Sequence, residues 1–247
     1  MPLEHFDVLI VGAGLSGVGG ACHLVPKCPG QTYAVLEMRR AMGGTWDLFR
    51  YPGVRSDSDM FTLGYAFRPW TAAKAIADGP DILEYIHATA REYGVDRHIR
   101  YGHKVTRAAW SSADALWTVE CERGERFTCN FLYMAAGYYD YAAGYLPDFA
   151  GTERLKGRIV QPQKWTPDVE YAGKRVVVIG SGATAITLVP ELARTAAHVT
   201  MLQRSPTYII NLPSQDMVAN FFRRILPAKV AYFLTRWKNV LLSMFLY

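Results

Sequence analysis

The chain has 247 residues, half of them hydrophobic and a fifth charged, with a net charge of +5 and four cysteines. That length allows one or two domains with real apolar cores, and the composition excludes a disordered, collagenous or disulfide-stapled protein. No run of about 20 uncharged apolar residues is present and no leader-like segment precedes Phe6, which points to a cytoplasmic protein.

The first predicted element is a buried parallel strand over Phe6 to Val11, followed by a glycine turn, Gly12-Ala13-Gly14-Leu15-Ser16-Gly17, and a helix from Leu15 to about Val25. Gly12 allows the tight turn, Gly14 lets backbone approach a pyrophosphate, and Gly17 lets helix and strand pack closely. Ser16 can add a hydroxyl at the positive helix end. The next strand, Thr32 to Leu36, ends in Glu37, where a carboxylate accepts hydrogen bonds from ribose hydroxyls and repels a 2′-phosphate. Such a unit suits FAD.

From Met42 to Asp57 the chain reads MGGTWDLFRYPGVRSD. Paired glycines permit close backbone approach to a cofactor, while Trp46 and Tyr51 offer flat faces to one or fill the core as ordinary aromatics. Asp57 can act in a site or cap a short helix around Ser58 to Ala66. An amphipathic helix follows from about Pro80 to Tyr93, with Ile82, Ile86, Ala90 and Tyr93 on the face that covers the first sheet and Gly94 after it. Strands near His103 to Trp110, Trp117 to Glu122 and Phe127 to Met134 predict an antiparallel meander before a return strand. Tyr138 to Ala172, rich in Gly, Pro, Tyr and Asp, reads as a linker.

A second glycine turn, Gly180-Ser181-Gly182-Ala183-Thr184-Ala185, follows the apolar strand Lys174 to Ile179 and opens a helix to about Ala196. The strand His198 to Leu202 then leads to Arg204 and Ser205, where the first unit has Glu37. A guanidinium fork and a hydroxyl favour a 2′-phosphate, so this unit suits NADPH. The fold class is α/β: two dinucleotide-binding, Rossmann-like units with parallel sheets, the first carrying the meander and the second incomplete. The expected domains are 1–140 for FAD, 141–172 as linker and 173–247 for part of the NADPH domain.

Cys22, Cys28, Cys121 and Cys129 are spaced neither as a Cys-x4-Cys redox pair nor as a zinc site. Residues 217–247 carry five basic and no acidic residues among many aromatics, so that pair of helices either lies on an anionic membrane surface or packs on further protein. The membrane alternative would place the protein at the inner face of the cell membrane. The basic residues form no nucleic-acid reader motif.

The run Gly43-Gly44-Thr45-Trp46 through Tyr51-Pro52-Gly53 to Asp57 resembles the fingerprint of Baeyer-Villiger flavin monooxygenases. Their second signature, Phe-x-Gly followed by Gly-x3-His-x3-Trp ending in Pro or Asp, stands here as Phe149-Ala150-Gly151 and Gly157 to Thr166, with Gln161 at the histidine and Thr166 at the last place. Ala135-Ala136-Gly137 replaces the family's frequent Ala-Thr-Gly. The resemblance implies that Ser16, Glu37, Gly44, Thr45, Trp46, Asp47, Leu48, Asp57 and Val105 lie against FAD. It places NADPH on Arg55, Ser56 and Asp57, on Gly180, Ser181, Gly182, Ala183, Thr184 and Ala185, and on Arg204 with Ser205. Asp57, with Arg55 nearby, is its catalytic candidate, through a carboxylate that holds a later arginine at the flavin.

The implied chemistry passes hydride from NADPH to FAD and one oxygen atom from O2 to a ketone or a soft sulfur. Family members are about twice as long, so the resemblance also implies an interrupted chain whose parallel-sheet edges and faces stay uncovered. Two alternatives stay open: a catalytically silent remnant that binds nucleotide or a membrane surface, and an NADPH oxidase or flavin reductase that releases peroxide.

Overall fold

The computed structural model describes residues 3–205, 208–209 and 213–246. The chain forms two compact units, Met1–Leu48 with Ile82–Tyr145, and Phe49–Asp81 with Leu146–Tyr247. The segment 49–81 sits with the first domain by sequence order, yet it packs in the second unit.

In the first unit, β1 (Glu4–Val11), α1 (Leu15–Lys27) and β2 (Tyr33–Glu37) make the expected strand, helix and strand. A one-turn helix, α2 (Thr45–Leu48), follows. The six-stranded sheet is completed by β3 (Ile99–Tyr101), β4 (Val105–Ser111), β5 (Leu116–Cys121) and β6 (Arg126–Met134). Its order is β3-β2-β1-β6-β5-β4, parallel from β3 to β6 and antiparallel beyond. The sequence led to a meander followed by a separate return strand. Instead β6 does both jobs: its first half pairs antiparallel with β5, and its whole length runs parallel to β1, from Glu4 opposite Phe127 to Val11 opposite Met134. One strand can do both because its two edges face different neighbours, β1 on one side and β5 on the other.

Helix α1 contains Gly17, Gly19 and Gly20, each a poor helix former. It is held by packing: Gly17, Val18, Gly19, Ala21 and Cys22 are buried, and a Cβ at Gly20 would press on the Tyr133 ring, 2.7 Å from its Cε1. The core beneath β1 gathers Phe6, Leu9, Ala34, Leu36, Val119 and Phe127 with the thiols of Cys121 and Cys129. Burial pushes both thiols up to about 11, so they stay protonated and inert at neutral pH.

The amphipathic helix read from the sequence is α4 (Gly79–Glu92), after the one-turn α3 (Met60–Leu63). Its Ile82, Ile86 and Ala90 are fully buried, and Gly94 takes a left-handed φ of +68°. The helix expected over 58–66 is only α3, and its cap is Asp59 rather than Asp57. Asp59 Oδ1 accepts from Phe61 N at 3.0 Å and Thr62 N at 3.1 Å, and Gly64 N closes the turn on Met60 O.

In the second unit, β7 (Arg175–Ile179), α5 (Ala183–Leu192) and β8 (His198–Leu202) repeat the strand, helix and strand, with β7 and β8 parallel. Helix α5 stops at Leu192, short of Ala196, because the chain turns back: Thr195 O accepts from Gly173 N, and Ala197 N donates to Lys174 O. The Tyr51-Pro52-Gly53 turn packs on α5, where a Cβ at Gly53 would lie 2.7 Å from Thr187 O. The linker carries only short 3-10 turns at Thr152–Arg154 and Pro162–Lys164. Val177, Ile179 and Leu202 on β7 and β8 are each more than half exposed.

Two helices end the chain, α6 (Met217–Ile225) and α7 (Ala228–Leu246). Among the described residues no helix is long and apolar enough to cross a membrane. Three of the five cations on this pair are taken by the unit itself. Arg223 donates to the carbonyls of Thr71 and Ala72, Arg236 donates to Phe61 O at 2.6 Å, and Lys238 donates to Asp216 Oδ2 at 2.5 Å. Those three charges therefore serve contacts within the unit.

Asp216 also caps α6 through Ala219 N, 2.9 Å away. Its burial alone would raise the carboxyl pKa, but Lys238 and the Ala219 N–H outweigh that and lower it. The folded pKa thus lies below the unfolded value of about 3.9, and the stabilisation holds above that value and fades as pH falls through the folded pKa. Asp216→Asn keeps a cap but loses the charge, and should cost about 1–2 kcal/mol at pH 7 in urea unfolding. The difference from the parent should shrink as pH falls below the ordinary carboxylate range.

Candidate functional site

A cleft of about 300 Å³ opens in the first unit where β1, β2 and β6 end and β4 begins. Of the expected residues it is lined by Gly12, Gly14, Ser16, Glu37, Gly44, Thr45, Trp46 and Val105. With the 135–141 segment, which also lines it, five separate stretches of chain converge. Gly12 has φ +104° and Gly44 φ +56°, conformations that L side chains rarely adopt. Gly14 and Gly44 face each other: a Cβ on Gly44 would lie 3.0 Å from Gly14 Cα. The amino end of α1 has Gly14 as its cap and no side-chain capping bond, so its positive end faces the cleft unshielded.

Glu37 is 3% exposed, and its carboxylate is fixed from both sides. Ala13 N donates to Oε2 at 2.8 Å and Arg39 N to Oε1 at 2.9 Å. Each oxygen keeps a further lone pair for a hydroxyl ligand. Gly17 does not line the cleft; it lies beneath, against the Gly12 carbonyl. Asp47 pairs with Arg39 at 2.7 Å, and Leu48 ends α2.

The second unit brings its own set together. Gly180, with φ +124°, donates its N–H to Leu202 O at 2.8 Å, which locks the glycine turn to the end of β8. Helix α5 begins at Ala183 with Gly182 as an extended cap lacking a side-chain bond, Ser181 and Thr184 flank it, and Ala185 is buried where the third glycine of the motif would stand. A Cβ on Gly182 would meet nothing within 4 Å, so the space before the helix is open. Arg204 and Ser205 come just after β8, both exposed.

Arg55, Ser56 and Asp57 belong to the same unit. Ser56 is buried, and its hydroxyl accepts from Ala77 N at 3.1 Å and donates to Ala77 O at 3.4 Å, which makes it part of the loop's frame. Asp57 and Arg55 are exposed. Partial burial raises the Asp57 carboxyl above its usual range against a smaller pull from Arg55. Tyr51 is buried with its ring 5.8 Å from that of Phe49, the core role of the two read for it. Gln161 Oε1 accepts from Gln163 N at 2.6 Å and caps the second linker turn.

Several cleft residues lay outside the sequence reading of the site, His103, Lys104, Tyr138 and Tyr141, as did Arg39, which binds Glu37 from behind the lining. His103 and Lys104 could have been found from the Val105 assignment, which they directly precede. Arg39 and the tyrosines carry no motif signal.

Residues 9–217 match the family model described as pyridine nucleotide-disulphide oxidoreductase. The chain belongs to that family. The chain is 58% identical over 242 residues to the FAD-containing monooxygenase EthA of Mycobacterium tuberculosis (strain ATCC 25618 / H37Rv), covering 96% of this chain and 50% of EthA. It also superposes on an oxidized steroid monooxygenase bound to NADP, with TM-score 0.79 and 32% identity over 93% of this chain and 43% of that one. OTEMO in complex with FAD and NADP gives TM-score 0.71 and 32% identity over 82% of this chain and 40% of the other. The chain spans about half the length of the curated relatives it matches. The resemblance to Baeyer-Villiger flavin monooxygenases drawn from the 43–57 run is borne out by these matches, as are the α/β class and its two nucleotide units.

Proposed function

We propose that this chain is the dinucleotide-binding portion of an FAD-dependent, NADPH-consuming monooxygenase that inserts one oxygen atom of O2 into a ketone or adds it to a sulfur compound. The observation that carries this reading is the contrast between two like folds. At the end of β2 stands a buried, doubly fixed carboxylate, Glu37; at the matching end of β8 stand Arg204 and Ser205. A carboxylate selects unphosphorylated ribose and a guanidinium selects a 2′-phosphate.

The residues present fit FAD in the first unit: a glycine-lined cleft, an uncapped helix end for a pyrophosphate and Glu37 for ribose hydroxyls. Once bound, the flavin supplies hydride acceptance and oxygen activation. The protein's own part is to hold and orient. Ser16 and the α1 terminus receive phosphate, Trp46 gives a flat apolar wall, and Val105 lines the side near His103. In the second unit the Gly180–Ala185 turn and α5 receive the NADPH pyrophosphate, with Arg204 and Ser205 on its 2′-phosphate. Asp57 is assigned the task of a carboxylate that positions a cation near the reacting atoms, with Arg55 beside it. The relatives' names and the NADP-bound neighbours support FAD and NADPH as the cofactors.

Replacing Arg204 with Gln should raise the NADPH KM and erase about tenfold of the preference for NADPH over NADH, the worth of one charged hydrogen bond. Equal loss with both nucleotides would remove Arg204 from that role. The activity itself is tested by incubating the chain with FAD, NADPH, O2 and either a cyclic ketone or a thioether. Formation of a lactone or sulfoxide carrying one labelled oxygen from 18O2 supports the monooxygenase. Hydrogen peroxide as the sole oxygen product supports the oxidase alternative.

A further inference from the structure

Arg39 and Tyr141 form a clasp on the first cleft that none of its motifs contains. Arg39 does not line the cleft but ties together residues that do. Its N–H fixes Glu37 Oε1 at 2.9 Å; one terminal nitrogen donates to Gly44 O at 3.3 Å; the other pairs with Asp47 Oδ2 at 2.7 Å. The pair is largely shielded, with 22% of the Arg39 side chain and 13% of the Asp47 side chain exposed, so it is worth more than a surface ion pair. The flat face of the same guanidinium lies over the Tyr141 ring, 5.8 Å from its centre.

Tyr141 comes from the irregular chain after β6 and returns over the cleft. Tyr141 lines the cleft beside Glu37, Gly44 and Thr45. Its hydroxyl lies 3.4 Å from where a Gly44 Cβ would stand, the same small gap that faces Gly14. A dinucleotide lying on the Gly14 and Gly44 backbones therefore passes under a phenol. Burial raises the Tyr141 pKa, which keeps the group a neutral donor.

We propose that Tyr141 is a binding residue for the flavin dinucleotide, closing over its ribose and pyrophosphate stretch, and that Arg39 is the positioning residue that holds Tyr141, Glu37 and the Gly44 turn in one arrangement. This rests on the FAD reading of the first cleft. The linker side of the fold thereby joins the site: residues beyond the return strand reach back to the cofactor.

The experiment uses the full chain and FAD itself. FAD dissociation constants are measured by fluorescence quenching, with the visible circular dichroism of the bound flavin and the melting temperature of the apoprotein, for the parent, Tyr141→Phe and Arg39→Lys. Tyr141→Phe removes only a hydroxyl, so the apoprotein should melt as the parent does while FAD binding weakens about tenfold, the worth of one ligand hydrogen bond. Arg39→Lys keeps a charge for Asp47 but cannot fork to Gly44 O at the same time, and should weaken FAD severalfold with a changed flavin dichroism band. If the parent binds FAD and both variants bind it within about twofold, at the noise of such titrations, the clasp is overturned while the FAD reading stands. A parent that binds no FAD overturns the FAD reading, and the clasp with it.

Discussion

Gly17→Ala is expected to unfold the first unit outright. A Cβ at residue 17 would overlap the Gly12 carbonyl oxygen and approach Gly12 C at 3.0 Å and Ala135 Cβ at 3.5 Å. All three neighbours are fixed, two of them backbone, and Gly12 cannot retreat. Its own φ of +104° and the 2.5 Å that a Gly12 Cβ would leave to Ala135 O show how closely β1, α1 and the end of β6 are pressed together. Overpacking of a rigid core costs about 1–3 kcal/mol, and here the clash is with backbone, so about 4 kcal/mol or more is expected. That is a large part of a domain's total stability. Circular dichroism and urea unfolding should show loss of the cooperative transition for this unit, and no FAD should bind. Gly182→Ala in the second unit's turn is the control: its Cβ would meet open space, so the fold should survive.

Glu37→Gln should have the second largest effect, and on binding more than on folding. One carboxylate oxygen becomes an amide NH2 that must face either the Ala13 N–H or the Arg39 N–H, donor against donor, in a site 3% exposed. An unmet buried hydrogen bond costs about 1–3 kcal/mol, and the ribose loses a charged acceptor as well. FAD affinity should therefore fall by roughly a hundredfold, with a modest loss of unfolding free energy. Glu37→Asp, shorter by one methylene, cannot reach both N–H groups from β2 and should fall between the two. A fluorescence titration of each variant checks this ordering, and equal affinity in all three would remove Glu37 from the site.

Much of this was legible because the informative residues lie in local patterns. The Gly12–Gly17 turn is flanked by an apolar strand and ends in Glu37 one strand later, and the Gly180–Ala185 turn repeats the unit with Arg204 in the carboxylate's place. Period and glycine spacing carry such information within about thirty residues. What escaped depends on contacts far apart in sequence. Nothing local in Arg126–Met134 says that one strand closes a meander and also lies beside β1, since both roles ask for the same apolar residues. The cap of α3 went to Asp59 rather than Asp57 because two aspartates stand within one turn, and only the extended backbone at Asp59 points a carboxylate at Phe61 N. Segment 49–81 joins the second unit through the bare face of Gly53 against α5, a fit between surfaces that no pattern announces. Tyr141 reaches the cleft from irregular chain, where no periodicity exists to fix a side chain's direction.

The central claim is that one chain holds FAD in the first unit and takes hydride from NADPH in the second. It is tested most directly by the visible spectrum of the purified 247-residue protein loaded with FAD, recorded before and after anaerobic addition of NADPH. The account predicts a protein-bound flavin spectrum that bleaches with NADPH and bleaches less readily with NADH. A colourless protein, or a bound flavin that NADPH leaves oxidised, would contradict it.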